Sequence, residues 1–180
     1  CLYHANLREC DLSGADLERA NLEGASMVNT VLHGADLRGA RLAHAVCPGV
    51  DFTEADLSGA VLAATNLLSA NFGGASVAGA DFTAANMAGA LLQDSVLDDA
   101  DFSAAKLMLA DFSGASLKGA CFAEAVMFGT VLEESDLAGA DLSGAQGLTV
   151  AQLERAYGSA RTRLPDALAG QVAWRSRLQE

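Results

Sequence analysis

Large apolar residues return every five positions along most of this chain. In the stretch ADLERANLEGA, residues 15–25, Leu17 and Leu22 are five apart, each preceded by an acid or amide and, before that, by alanine. A five-residue step along an α-helix turns about 500°, so successive leucines walk around the helix by about 140° and leave no dry face. A flat strand fails for another reason: an odd step sends successive leucines to opposite faces. A chain with this spacing has to turn a corner between one leucine and the next.

The five-residue register holds without insertion or deletion from Ala5 to Gly144, giving 28 pentapeptides in a chain of 180 residues. All 28 central residues, from Leu7 to Leu142, are apolar if Cys47 is counted. Two residues before the centre stands alanine in 21 repeats; the exceptions are Cys10, Thr30, Val50, Thr65, Ser95, Thr130 and Ser135. Asp or Asn precedes the centre 15 times, and glycine follows two residues after it 14 times. This A(D/N)LxG pattern resembles the pentapeptide-repeat family. The resemblance implies an all-β solenoid, a right-handed quadrilateral β-helix in which four pentapeptides make one square coil. The centre and the small residue two before it would point inward, and the other three outward. The residues themselves agree: large and small inward residues can alternate around a narrow core, glycine suits corners, and stacked coils can exchange backbone hydrogen bonds.

A square coil carries a further period of 20. Six of the seven phenylalanines are centres and fall into two columns, Phe82, Phe102 and Phe122 in one and Phe52, Phe72 and Phe112 in the other. Twenty-eight pentapeptides make about seven coils, a stack of roughly 34 Å at ~4.8 Å per strand. The expected organisation is a β-helix over residues 1–147 and a C-terminal helical cap and tail over 148–180. In LTVAQLERAYG, Thr149 and Gln152 form a capping box, Leu148 and Leu153 a hydrophobic staple, and Gly158 ends the helix. A second helical segment is expected from Pro165, with Arg175 and Arg177 in its last turns and Gly170 as its weak point. Only CLYH precedes the first repeat, which leaves an exposed strand edge there.

The apolar content of 51% excludes a mostly disordered chain. No apolar run approaches the ~20 residues of a membrane span, and the first residues lack the pattern of a signal peptide, so a cytoplasmic protein with reduced thiols is the expectation. A chain opening on Cys1 suggests a fragment or a processed start, a lipidated cysteine being a further alternative. Catalysis needs converging groups, and a straight rod with radiating side chains has no deep cleft. His4, His33 and His44 show no metal-ligand spacing, there is no CxxC, GxSxG or phosphate-binding loop, and no catalytic, cofactor or metal residue is assigned.

Charge divides the chain. Residues 1–147 carry net −14 and residues 148–180 net +2, within a total of −12. Such a field disfavours direct nucleic-acid binding and favours basic protein surfaces. Some members of the family imitate duplex DNA and occupy the DNA-binding saddle of DNA gyrase and other type II topoisomerases, protecting them from toxins or quinolones. The resemblance therefore makes gyrase an alternative partner, with Asp98, Asp99, Glu133 and Glu134 as the candidate acidic surface. Against this, ten of the 20 acids in the repeats are motif aspartates that building the coil would require anyway.

The faces differ more than the total suggests. The column starting at Leu7 has Glu9 as its lone acid, and the residue after each centre reads Arg8, Val28, Pro48, Leu68, Ala88, Met108, Phe128. A contiguous apolar strip marks contact with another surface. Val28, Leu68, Met108 and Phe128 are the candidate interaction strip, to be covered by a second copy in a homodimer, by another protein, or by the chain's own tail through Val172 and Trp174. The sequence thus reads as a non-enzymatic interaction or structural scaffold.

Overall fold

In a computed structural model, which describes residues 1–175, the corners predicted from the spacing appear in every repeat but the last, where Gly144 does not take the left-handed conformation. Every fifth residue from His4 to Glu134, and Gly139 after it, lies in the left-handed region, with φ between 52° and 75°. Parallel bridges join residue i to residue i+20 without interruption from Asn6↔Ser26 to Val126↔Gln146. Four corners per coil and a return after 20 residues make a square solenoid. We call its faces A, B, C and D after the columns of centres that start at Leu7, Leu12, Leu17 and Leu22.

The repeat around Leu57 shows why the motif looks as it does. Leu57 N–H donates to Ser76 C=O (2.7 Å), Gly59 N–H to Ala78 C=O (2.9 Å) and Val61 N–H to Ala40 C=O (2.9 Å), all between coils. Ala60 N–H closes the corner on Leu57 C=O (2.9 Å). One amide per repeat, that of the residue after the centre, has no backbone acceptor. Ser58 N–H donates instead to Asp56 Oδ1 at 2.9 Å. All 15 Asp and Asn residues of the motif accept this same amide two residues on. An orphan amide carries a desolvation penalty, so a short side-chain acceptor at that position is favoured by the backbone itself.

Inside, every centre from Leu22 to Leu142 is buried. The hydroxyls that replace inward alanines donate to nearby carbonyls: Thr65 to Leu62 at 2.5 Å, Ser95 to Leu92 at 2.6 Å and Thr130 to Met127 at 2.8 Å. The phenylalanine columns lie on the opposite faces B and D. Phe82, Phe102 and Phe122 stack at 5.0 Å centroid spacing, as do Phe52 and Phe72. Across the core the two columns meet edge to face, as in Phe102–Phe112 at 5.8 Å and 86°. Leu7, Leu12 and Leu17, in the first coil, are only partly buried.

The C-terminal segment departs from the expected helical cap. The capping box forms, with Thr149 N–H donating to Gln152 Oε1 at 2.9 Å and Gln152 N–H to Thr149 Oγ1 at 3.3 Å. The helix is nevertheless a single turn, Val150–Leu153, not one that runs to Gly158. The chain then rejoins the ladder: Tyr157 bridges to Asp136 and Arg163 to Asp141. The open edge of the last coil offers unpaired backbone groups, and pairing them replaces further helical turns. Ala156 takes the small inward position and is buried. The second helix expected from Pro165 is also absent among the described residues. Leu168 and Ala169 N–H groups return to Pro165 C=O at 2.8 and 3.1 Å, and Gly170 at φ 77° breaks the turn. Arg177 lies outside the described residues.

Candidate interaction surfaces

Three faces are acidic and one is not. Faces B, C and D hold 19 of the 20 acids among residues 1–147, and face A holds Glu9 alone. The backbone amides and hydroxyls on the motif aspartates keep several of them well ionised. A hydrogen bond from the Ser13 hydroxyl lowers the pKa of Asp11, and one from Ser143 lowers that of Asp141. Asp36 is lowered to about 2, mainly by a hydrogen bond from the Arg38 guanidinium. Arg38 also lies 3.6 Å from Glu18 and 3.9 Å from Asp56, tying three successive coils of face C.

The four acids singled out for a DNA-like surface do not converge. Asp98 and Asp99 lie on face C, and Glu133 and Glu134 lie two coils further on face B. Asp98 is engaged within the rod, accepting from Ser116 Oγ at 2.5 Å and from Lys118 N–H at 3.1 Å. Glu133 pairs with Arg155 at 2.7 Å, and Arg175 approaches Glu133 at 3.5 Å and Glu134 at 3.6 Å. The basic tail therefore neutralises the C-terminal end of the acidic surface, as its net charge predicts. Asp99 stays exposed at a corner.

On face A, Leu109 is 71% exposed, Phe128 58%, Leu68 44%, Val46 42% and Met108 38%. Val28 is half-buried. Leu109 occupies a left-handed corner at φ 60°, and its side chain leans over the next corner, where a Cβ on Gly129 would stand 2.8 Å from Leu109 Cδ2. Gly147 lies flat on the Phe128 ring, since a Cβ there would come within 2.6 Å of it. Face A also bears Arg8 and Lys106, and neither has an acid within 4 Å among the described residues, whereas Arg19, Arg38, Arg41 and Lys118 on the acidic faces each do.

Trp174 does not join this strip. Its indole covers Gly158, where a Cβ would fall 2.4 Å from the ring, and Gly158 follows the inward Ala156 and the bridging Tyr157 on face C. Arg175 lies over the Tyr157 ring at 5.6 Å. Trp174 is thus drawn to the end of the rod by an apolar gap that a glycine leaves, and the expectation that this residue covers face A is corrected. An open cleft of about 520 Å³ between Asp136, Ala138, Tyr157 and Trp174 borders this contact. Buried Cys47 has its thiol pushed up to about 12 by desolvation, so it is a core residue and not a nucleophile. Among the described residues no cluster of His, Cys, Asp and Glu is arranged to hold a metal ion, and no helix is long and apolar enough to cross a membrane.

Comparison with known proteins agrees with this architecture. A family model described as pentapeptide repeats matches residues 5–43, 45–83, 78–114 and 110–146. Among solved structures, the chain is similar to HetL, a pentapeptide-repeat protein involved in heterocyst differentiation regulation from the cyanobacterium Nostoc sp. strain PCC 7120. The identity is 26%, covering 90% of this chain and 84% of HetL, with a TM-score of 0.51. Full-length QnrB1, a plasmid-mediated fluoroquinolone resistance protein, matches at 16% identity over 90% of this chain and 94% of its own, with a TM-score of 0.39. A pentapeptide-repeat protein of the Arabidopsis thaliana thylakoid lumen matches at 33% identity over 60% of this chain and 74% of its own, with a TM-score of 0.33. No curated protein sequence matches the chain.

Proposed function

Because the chain belongs to the pentapeptide-repeat family, we propose that it is a non-enzymatic scaffold that binds a protein through face A. The observation that carries this reading is the contrast between that face and the other three: exposed Val46, Leu68, Met108, Leu109 and Phe128 stand on the face whose single acid is Glu9, in the first coil. A surface patch of this kind loses free energy to water until another surface covers it. The test is affinity capture with the wild-type chain and with Leu68→Asp/Leu109→Asp as parallel baits, washed at about 0.1 M and 1 M salt. Both substitutions place aspartate at repeat positions that already hold it, in Asp98 and in Asp94 and Asp99. The expected result is a binder that survives high salt on the wild type and is missing from the variant. Identical capture by both baits refutes the reading.

A second reading, contact of the acidic faces with the DNA-binding saddle of a type II topoisomerase such as DNA gyrase, draws support from a separate observation. Asp51, Asp94 and Asp111 on face B, Asp99 on face C, and Asp81, Asp101 and Glu124 on face D have no cation within 4 Å among the described residues. On this reading, micromolar protein alters supercoiling by a purified gyrase, and charge reversal of the exposed Asp94, Asp99 and Glu124 removes the effect. No binding to the enzyme at low salt refutes it.

A further inference from the structure

We infer that the end of the rod where faces B and C meet is a receptor for an arginine side chain of a partner protein, and that the chain's own Arg175 holds it in this structure. The inference is independent of the reading of face A. Two carboxylates are not by themselves a site; here a guanidinium is seated on them. Arg175 Nη1 lies 3.5 Å from Glu133 Oε1, 3.6 Å from Glu134 Oε1 and 3.5 Å from the main-chain oxygen of Arg155, with its guanidinium carbon 5.6 Å from the centre of the Tyr157 ring. Two acids, a carbonyl and an aromatic face suit a planar cation better than a compact ammonium.

The receptor is fixed by contacts that do not involve Arg175. Arg155 holds Glu133 through its other oxygen, Nη1 to Oε2 at 2.7 Å, which leaves Oε1 to face Arg175. Glu134 N–H donates to Arg155 C=O at 2.9 Å, and Tyr157 is fixed by the ladder, accepting from Leu137 N–H at 2.7 Å and donating to Ser135 C=O at 2.8 Å. A site held this way need not reorganise when its occupant changes. The occupant itself is held loosely. Its contacts of 3.5 and 3.6 Å compare with 2.7 Å for Arg155–Glu133 and 2.8 Å for Arg163–Asp141, and a charge-assisted hydrogen bond closes to about 2.7–2.9 Å. Beside the tail, the cleft of about 520 Å³ lined by Tyr157, Ser159, Trp174 and Arg175 stays open. A partner segment can bring its own arginine to the Tyr157 ring along this cleft, and Arg175 is the competitor it has to displace.

Fluorescence anisotropy of a labelled tetra-arginine peptide with the full chain, at about 0.05 M salt, tests this. Arg175→Gln frees the site, and affinity should rise by the inverse of the fraction of time the site is open in the wild type, on the order of 10-fold. Arg161→Gln removes the same charge from an exposed side chain of the same segment and should leave the constant within ~2-fold. Adding Glu133→Gln and Glu134→Gln to Arg175→Gln should abolish the gain, and a tetra-lysine peptide should show a smaller one. Equal constants for the wild type and Arg175→Gln overturn the competition. An equal gain from Arg161→Gln reduces the effect to net charge and overturns the site, as does a gain that survives loss of both glutamates. A gain of the same size with tetra-lysine overturns the preference for arginine.

Discussion

Phe102→Ala probes the solenoid where its packing is least able to adjust. Phe102 is fully buried, stacked on Phe82 at 5.0 Å and 3° and on Phe122 at 5.0 Å and 9°, and met edge-on by Phe112. Truncating a buried phenylalanine costs about 3–5 kcal/mol, the upper part of that range applying where the surroundings cannot collapse. Here they cannot. Phe102 N–H donates to Cys121 C=O at 2.8 Å and Phe82 N–H to Asp101 C=O at 2.8 Å, so the ladder fixes the distance between the coils above and below the void. Each lost aromatic pair adds ~0.5–1.5 kcal/mol beyond burial, which places the total near 5 kcal/mol. Phe52→Ala, with one stacked ring at 5.0 Å, should fall nearer 3 kcal/mol. For a chain of this size the larger loss corresponds to a fall in Tm of roughly 10–20 °C, read by circular dichroism or calorimetry. A drop of less than ~3 °C, or equal drops for the two variants, would refute the argument that stacked coils hold the cavity open.

Three further perturbations address the corners, the caps and the tail. Ala104, at φ 56°, should gain several tenths of a kcal/mol as glycine, while Gly144→Ala, whose Cβ would stand 2.9 Å from the backbone nitrogen of Glu124, should lose more than ~1 kcal/mol; thermal melts of both decide the sign. Replacing Asp51, Asp81 and Asp101 by Asn keeps the acceptor for the amide two residues on and should leave Tm within ~2 °C at pH 7, whereas the triple Ala variant should lose ~1 kcal/mol per cap. Because Asp11, Asp36 and Asp141 are held below their ordinary value near 3.8, Asp36 at about 2, their contribution is complete above about pH 4 and is lost as the pH falls towards 2; the melting temperature should be flat above that window and fall within it, less steeply in the Asn variants at these three positions. Finally, Gly158→Ala should displace the indole of Trp174 and shift its emission to the red, and unchanged emission would mean that the ring does not rest on Gly158.

The five-residue step made the corners, the inward columns and the phenylalanine stacks legible before any coordinates, because each inward residue sees the same neighbours one coil away. The corners were legible only in part. Glycine suggested which residues turn the chain, yet Leu109, Ala84 and Arg19 adopt the same left-handed φ without it. The inter-coil ladder imposes that conformation, and a side chain is tolerated where the next corner gives it room, as Gly129 does for Leu109 and Gly39 for Arg19. The tail was misread because the register slips. Tyr157 pairs with a residue 21 positions back and Arg163 with one 22 back, so a scan at period 20 loses the continuing ladder and sees only helical propensity. Trp174 then looked like a residue in search of face A, when the glycine it covers had already rejoined the rod. The exposure of Leu68, Met108 and Phe128 was legible, since outward positions of a fixed register need no long-range packing to be assigned.

The cap on the orphan amide asks only for a carbonyl-type oxygen on a short side chain, and this chain uses aspartate at ten of the 15 positions and asparagine at the other five. The two residues are a single nucleotide apart. Drift between them leaves the backbone satisfied while switching one unit of charge on or off at a fixed height on a chosen side of the rod. A lineage carrying this fold can therefore redraw its electrostatic portrait one tile at a time, acquiring or abandoning partners without passing through an unfolded ancestor.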